Sequence, residues 1–127
     1  MPHFVMEYSA NLDSDIDFSD LFEKLANVAQ TTGVFPLGGI RIRAHRCEQF
    51  RVAEGDPENR FLQLSIKVGS GRTEDTLKDV GDTIHAFMTD YLASVFERHY
   101  LSFGLEITEL HPTLNYKKNN IHQKLAK

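Results

Sequence analysis

Apolar and polar positions near the start of the chain alternate with a period of two. Phe4, Met6 and Tyr8 fall on one side and His3, Val5 and Glu7 on the other, as in a strand buried mainly on one face. The polar stretch Ser9 to Asp17 interrupts the alternation. From Ser19 onward, Leu21, Phe22, Leu25, Val28 and Ala29 recur at helical spacing, which predicts a short amphipathic helix. Ser19 or Asp20 suits its N-terminus, and Gly33 followed by Pro36 suits its exit. Alternation returns at Ile40, Ile42 and Ala44. The positions between and after them are Arg41, Arg43 and His45, so a strand here sets three basic or titratable side chains in a row on one face.

After a loop through Glu54, Gly55, Asp56 and Pro57, the same order is repeated. Leu62, Leu64, Ile66 and Val68 form the apolar face of a second-half strand, and Gly69-Ser70-Gly71 turns the chain into a long helical stripe. Thr73 is the expected N-cap, Glu74 and Asp75 suit the first turn, and Leu77, Val80, Ile84, Phe87, Tyr91 and Val95 give the buried row. Phe103, Leu105 and Ile107 mark a last strand. The pattern predicts an α+β fold in one domain, 1–127, built from two βαβ units (2–50 and 60–110) and a C-terminal extension, 111–127. Right-handed crossovers set both helices on one face of a four-stranded mixed sheet. The opposite face carries Arg41, Arg43 and His45 beside apolar or aromatic residues. It is too mixed for plain solvent exposure and too charged for a sealed core, so a closed homo-oligomer packed on that face is expected.

Composition narrows the partners. The chain has 127 residues, the size of one core, and 14 Lys plus Arg against 18 Asp plus Glu give a net charge of -4. There is no general electrostatic reason to expect nucleic acid or an anionic membrane, and any cation cluster must be local. Cys47 is the single cysteine, which rules out an internal disulfide and a multi-cysteine zinc site and fits a reducing cytoplasm. No apolar run approaches the roughly 18 to 20 residues of a membrane span, and no secretion signal opens the chain. A cytoplasmic protein is expected. The six histidines are scattered, and only His45 with Cys47 shows strand spacing, short of a zinc ligand set, so neither metal nor cofactor is expected.

Four stretches carry a more specific signal: MPHFVMEY at the start, FPLGGIRIR at 35–43, KVGSGR at 67–72 and ELHPTLNYKKNN at 109–120. Together, at matching spacing over essentially the whole chain, they resemble the 5-carboxymethyl-2-hydroxymuconate isomerase family of the tautomerase superfamily. The resemblance implies a homotrimer of double βαβ subunits and an amino-terminal proline that acts as acid and base without a cofactor. It also implies a small anionic dienol substrate, formed when a homoprotocatechuate ring is cleaved. A trimeric binding or assembly module of the same fold, without turnover, is the alternative, and retention of Met1 would be its signature.

The chemistry has its own logic. Moving a proton from an enol oxygen to a distant carbon needs one group that accepts and returns it, with cations holding the carboxylates and the spreading charge. If Met1 is removed, Pro2 becomes a secondary amine, and burial or nearby cations lower such a group from its usual pKa of about 7.7 to 8.0. The plainer reading is a proline that starts an edge strand. Arg41 and Arg43 share a strand face, and each suits either a carboxylate anchor or an intersubunit salt bridge. Family position favours Arg41 as the substrate-facing one. His45, on the same face, suits a hydrogen bond to the enolate or, better, interface packing.

Gly69-Ser70-Gly71-Arg72 lacks the Gly-Lys-Ser/Thr of a phosphate loop, so nucleotide binding is rejected. A glycine-rich turn with Arg72 suits a second carboxylate site or an ordinary strand-to-helix turn, and the resemblance favours the site. His111 to Tyr116 is too polar for the core but has Leu114 and Tyr116 as anchors, to close the pocket or to lock neighbouring subunits. Tyr116 stands where the family has phenylalanine, which keeps its apolar role.

Overall fold

The computed structural model describes residues 1–126. Strand β1 (His3–Ser9) lies inside a four-stranded sheet of order β2-β1-β3-β4, with β2 spanning Arg41–Cys47, β3 Asn59–Val68 and β4 Tyr100–Glu109. Within each half the strands are parallel, β1 with β2 and β3 with β4, and the halves join through the antiparallel pair β1/β3. Helix α1 (Phe18–Thr31) crosses the first half, and α2 (Glu74–Tyr91) with the short α3 (Ala93–Arg98) crosses the second.

Both long helices press on one sheet face. Phe4, Met6, Leu62, Leu64 and Ile66 meet Leu21 and Leu25 of α1 and Ile84 and Met88 of α2 in one core, all of them fully buried or nearly so. This is the sheet face set by the alternation in β1 and β3, where burial follows every second residue. The other face presents Val5 beside Arg43 and Ser65, and Glu7 beside His45 and Gln63. No helix among the described residues is long and apolar enough to cross a membrane.

Two helix boundaries differ from the expectation. Helix α1 begins at Phe18, with Asp17 as its N-cap: Asp17 is extended, and its carboxylate accepts from the Asp20 N–H at 3.3 Å. Ser19 and Asp20 therefore sit inside the first turn, where Asp20 accepts a hydrogen bond from the Tyr91 hydroxyl at 2.8 Å. The exit is as expected, with Gly33 at a φ of 73° just past the helix.

The second helix follows Thr73, whose hydroxyl accepts from the Thr76 N–H. It does not run on to Val95. Leu92 leaves helical geometry (φ -88°, ψ 2°), and the Val95 and Phe96 N–H groups donate to its carbonyl as α3 begins. The buried row is Val80, Ile84, Met88, Leu92 and Val95, while Phe87 and Tyr91, with ring centres 5.8 Å apart and planes tilted by 37°, flank it. The expected stripe was thus one position out of phase in its second half, where bulky aromatics on the flank resemble core residues.

Candidate active site

Three backbone segments converge at one end of the sheet. Register sets His3 beside Arg41 and Lys67, and the Arg41 N–H donates to the Pro2 carbonyl at 3.0 Å. The start of β1, the start of β2 and the end of β3 therefore share one edge, and the turn after β3 brings Gly69 and Arg72 to it. A cavity of about 400 Å³ opens there, walled by Met1, Pro2, Phe35, Gly69 and Arg72 on one side.

The far wall comes from the C-terminal segment. Leu110 leaves β4 with its N–H bonded to the Val68 carbonyl at 2.7 Å, and the chain then runs exposed to Asn119. The Asn119 side-chain amide donates to the Gly38 carbonyl at 2.9 Å, and its oxygen accepts from the Ile121 N–H at 2.6 Å at the start of helix α4 (Ile121–Leu125). Lys117, Asn119 and His122 thereby line the cavity. Gly38 permits this approach, since a Cβ there would lie 2.6 Å from His122 Nδ1.

Arg72 is held in place without a carboxylate. Its guanidinium donates to the Gly69 carbonyl at 3.3 Å and the Val34 carbonyl at 3.1 Å, and it lies 5.5 Å from the ring centre of the buried Phe35. The remaining N–H donors of the fork are available to an anion. Arg41 is not part of the cavity wall. It donates to the Gly38 and Ile40 carbonyls at 2.9 and 3.2 Å, yet its charge reaches the terminal amine. No Asp or Glu lines the cavity, and among the described residues no carboxylate pairs with Arg41, Arg43, Arg72 or Lys117.

The chain terminus lies in this unneutralised field. Burial first, then the charges of Lys117, Arg72 and Arg41, hold the Met1 amine below its ordinary 8.0. Pro2 is buried one residue further in, and with Met1 attached its nitrogen is a peptide nitrogen. Other expected site residues lie elsewhere in the single chain. Arg43 donates to His3 Nδ1 at 3.1 Å on the open face, where burial and then the Arg43 charge hold His3 below its ordinary value. His45 is exposed further along β2, and Tyr116 projects outward, 87% exposed. The cavity thus brings together Pro2 and Arg72, with Arg41 at its border, and leaves Arg43, His45 and Tyr116 outside.

Lys117, Asn119 and His122 were missed as individual residues. The quoted segment ELHPTLNYKKNN contains Lys117 and Asn119 among cations and amides suited to an anion pocket, but nothing in it places either residue at the cavity, and His122 lies beyond it. Among the described residues no group of His, Cys, Asp and Glu is placed to hold a metal ion.

The model of the 5-carboxymethyl-2-hydroxymuconate isomerase family matches residues 2–125, which include every residue lining the cavity except Met1. The chain belongs to this family. It is 36% identical over 122 residues, 96% of this chain and 97% of the relative, to the 5-carboxymethyl-2-hydroxymuconate Delta-isomerase of Escherichia coli. The crystal structure of a 5-carboxymethyl-2-hydroxymuconate isomerase from Deinococcus radiodurans R1 superposes with a TM-score of 0.91 at 36% identity, covering 99% of this chain and 95% of that one. A fused 4-OT protein described as a symmetric trimer shares the fold alone, with a TM-score of 0.69 at 17% identity over 91% and 93% of the two chains. The cavity of this chain therefore lies in an α+β fold shared with the isomerase structures.

Proposed function

We propose that the chain is a cofactor-independent isomerase that converts 5-carboxymethyl-2-hydroxymuconate to its 2-oxo isomer during homoprotocatechuate breakdown, with the amine of Pro2, freed by loss of Met1, as acid and base. The observation that carries the reading is a partly buried chain terminus, with Pro2 buried behind it, facing several cations and no carboxylate. An anionic dienol fits such a field, and a neutral amine is what the field favours. The Pro2 nitrogen takes the enol proton, electrons shift along the conjugated chain, and the same nitrogen returns the proton to the carbon bearing the carboxymethyl arm. Arg72 and Arg41 hold carboxylates and stabilise the dienolate between the two transfers. Membership of the isomerase family and the 36% identical E. coli relative support the same chemistry.

The reading includes a homotrimer in a reducing cytoplasm. The uncovered, mixed sheet face bearing Val5, Arg43 and His45 supports assembly, and the free, half-buried Cys47 thiol suits that compartment. In a trimer, Arg43, His45 and Tyr116 gain partners that the single chain does not offer.

The test uses one preparation before and after treatment with methionine aminopeptidase. Intact mass reports whether Met1 is present, and ultraviolet absorbance follows ketonisation of the dienol. Turnover should appear with removal of Met1. Full activity in protein with Met1 verified by mass would overturn the proline mechanism, and no turnover after removal would favour the binding module.

A further inference from the structure

We propose that Lys117 is a specificity-determining residue that binds the carboxylate of the substrate's carboxymethyl arm, so that the docked C-terminal segment selects a tricarboxylate dienol over a dicarboxylate one. The inference rests on the isomerase reading above and goes beyond it, because Arg41 and Arg72 account for only two carboxylates. 5-Carboxymethyl-2-hydroxymuconate has one at each end of its dienol chain and a third on the arm.

Geometry supplies the third cation. Lys117 lines the same cavity as Pro2 and Arg72 but comes from the opposite wall, so a substrate between them meets positive charge on both sides. Among the described residues it makes no ion pair, and neither do Arg41 and Arg72. Its charge acts on the terminal amine ahead of those of Arg72 and Arg41, which places it in the working field of the site.

The backbone that carries Lys117 is fixed two residues later. Asn119 is bonded to Gly38, in the turn leading to Arg41, and His122 packs on the same glycine. The lysine is therefore delivered to the cavity by a docked wall and not by a free tail. It is exposed while lining the cavity, within reach of a substrate group that extends toward solvent. A flexible ammonium suits that position: it follows an arm that rotates about a single bond, whereas the planar fork of Arg72 suits the rigid end of the dienol.

The experiment compares ketonisation of 5-carboxymethyl-2-hydroxymuconate with that of 2-hydroxymuconate, which lacks the arm, in Met1-free wild type, Lys117→Ala and Lys117→Arg. A charge-assisted contact at an exposed rim is worth about tenfold. Lys117→Ala should lower the ratio of the two kcat/KM values by about that factor, chiefly through KM for the tricarboxylate, and Lys117→Arg should restore most of the ratio. An unchanged ratio, with both substrates slowed equally or not at all, overturns the proposal. Calorimetric binding of the unreactive pentane-1,2,5-tricarboxylate against adipate separates the two claims. If wild type turns over neither dienol, the isomerase reading fails. The Lys117 assignment then stands or falls on whether Lys117→Ala removes the preference for the tricarboxylate.

Discussion

At the end of the sheet where β1 runs out and β3 begins, Arg46, Arg60 and Arg98 each reach a carboxylate, whereas at the opposite end Arg41 and Arg72 reach backbone carbonyls. Arg60 pairs with Asp15 at 3.1 Å, with both side chains buried, and His99 and Arg98 approach the same carboxylate at 3.2 and 3.9 Å. Arg46 pairs with Asp13 and Glu48, and Tyr8 donates to Asp13 at 2.8 Å. At the cavity end, Arg41 and Arg72 spend hydrogen bonds on Gly38, Ile40, Gly69 and Val34 and leave their charge uncancelled. The same residue type thus does two jobs. Paired to a buried carboxylate it ties the loop after β1 to the start of β3; tethered by carbonyls it is positioned without being neutralised, and on the proposed function the missing counter-charge is what a substrate supplies.

The contrast breaks most sharply at the amine. Pro2→Ala, with Met1 removal verified by mass, should reduce kcat by about a hundredfold or more, the usual worth of a positioned acid–base group, while urea unfolding shifts little. At the ion-paired end, Asp15→Asn leaves the buried Arg60 without its counter-charge and should cost about 3 kcal/mol in a urea melt. Its effect on kcat should be small by comparison. Arg72→Ala should do the reverse: KM rises by about tenfold or more, with a smaller loss of stability than Asp15→Asn. Equal stability losses in those two variants would erase the distinction between the ends.

The smallest effects are in pH. The burial and cations that hold the Met1 amine below its ordinary value also surround a freed Pro2 amine, which must be neutral to accept the enol proton, so kcat/KM should rise with pH along a limb displaced below that of an exposed prolyl amine. The stability contribution has the same sign. Groups held low in the folded state, the Met1 amine and His3, are protonated more readily when unfolded. Their stability is fully present above the ordinary values of 8.0 and 6.5 and is lost as pH falls through the folded ones. Melting temperatures between pH 5 and 8 should show this drift, and a flat profile would deny the field around the terminus.

Much of the fold was legible because strand and helix periods are local. Phe4, Met6 and Tyr8, or Leu62 to Val68, declare a buried face without knowledge of what covers it. The α1 start was not, because Asp17, Ser19 and Asp20 all suit an N-cap and only backbone geometry chooses among them. Met88 and Leu92 were passed over for Phe87 and Tyr91 because the depth of a helix row depends on the sheet beneath it. In the site, Pro2, Arg41 and Arg72 could be read from motif and chemistry. Lys117 and His122 could not, since their position depends on a contact between Asn119 and Gly38 across 81 residues of sequence.

That contact also sets an order of events. Leu110 is already held on β3, so docking Asn119 onto Gly38 closes only the short exposed run between them, and a wall held by so few hydrogen bonds is expected to open locally before the sheet does. If Lys117 binds substrate as proposed, docking and substrate capture share one equilibrium, and a tricarboxylate that bridges Arg72 and Lys117 stabilises the docked wall.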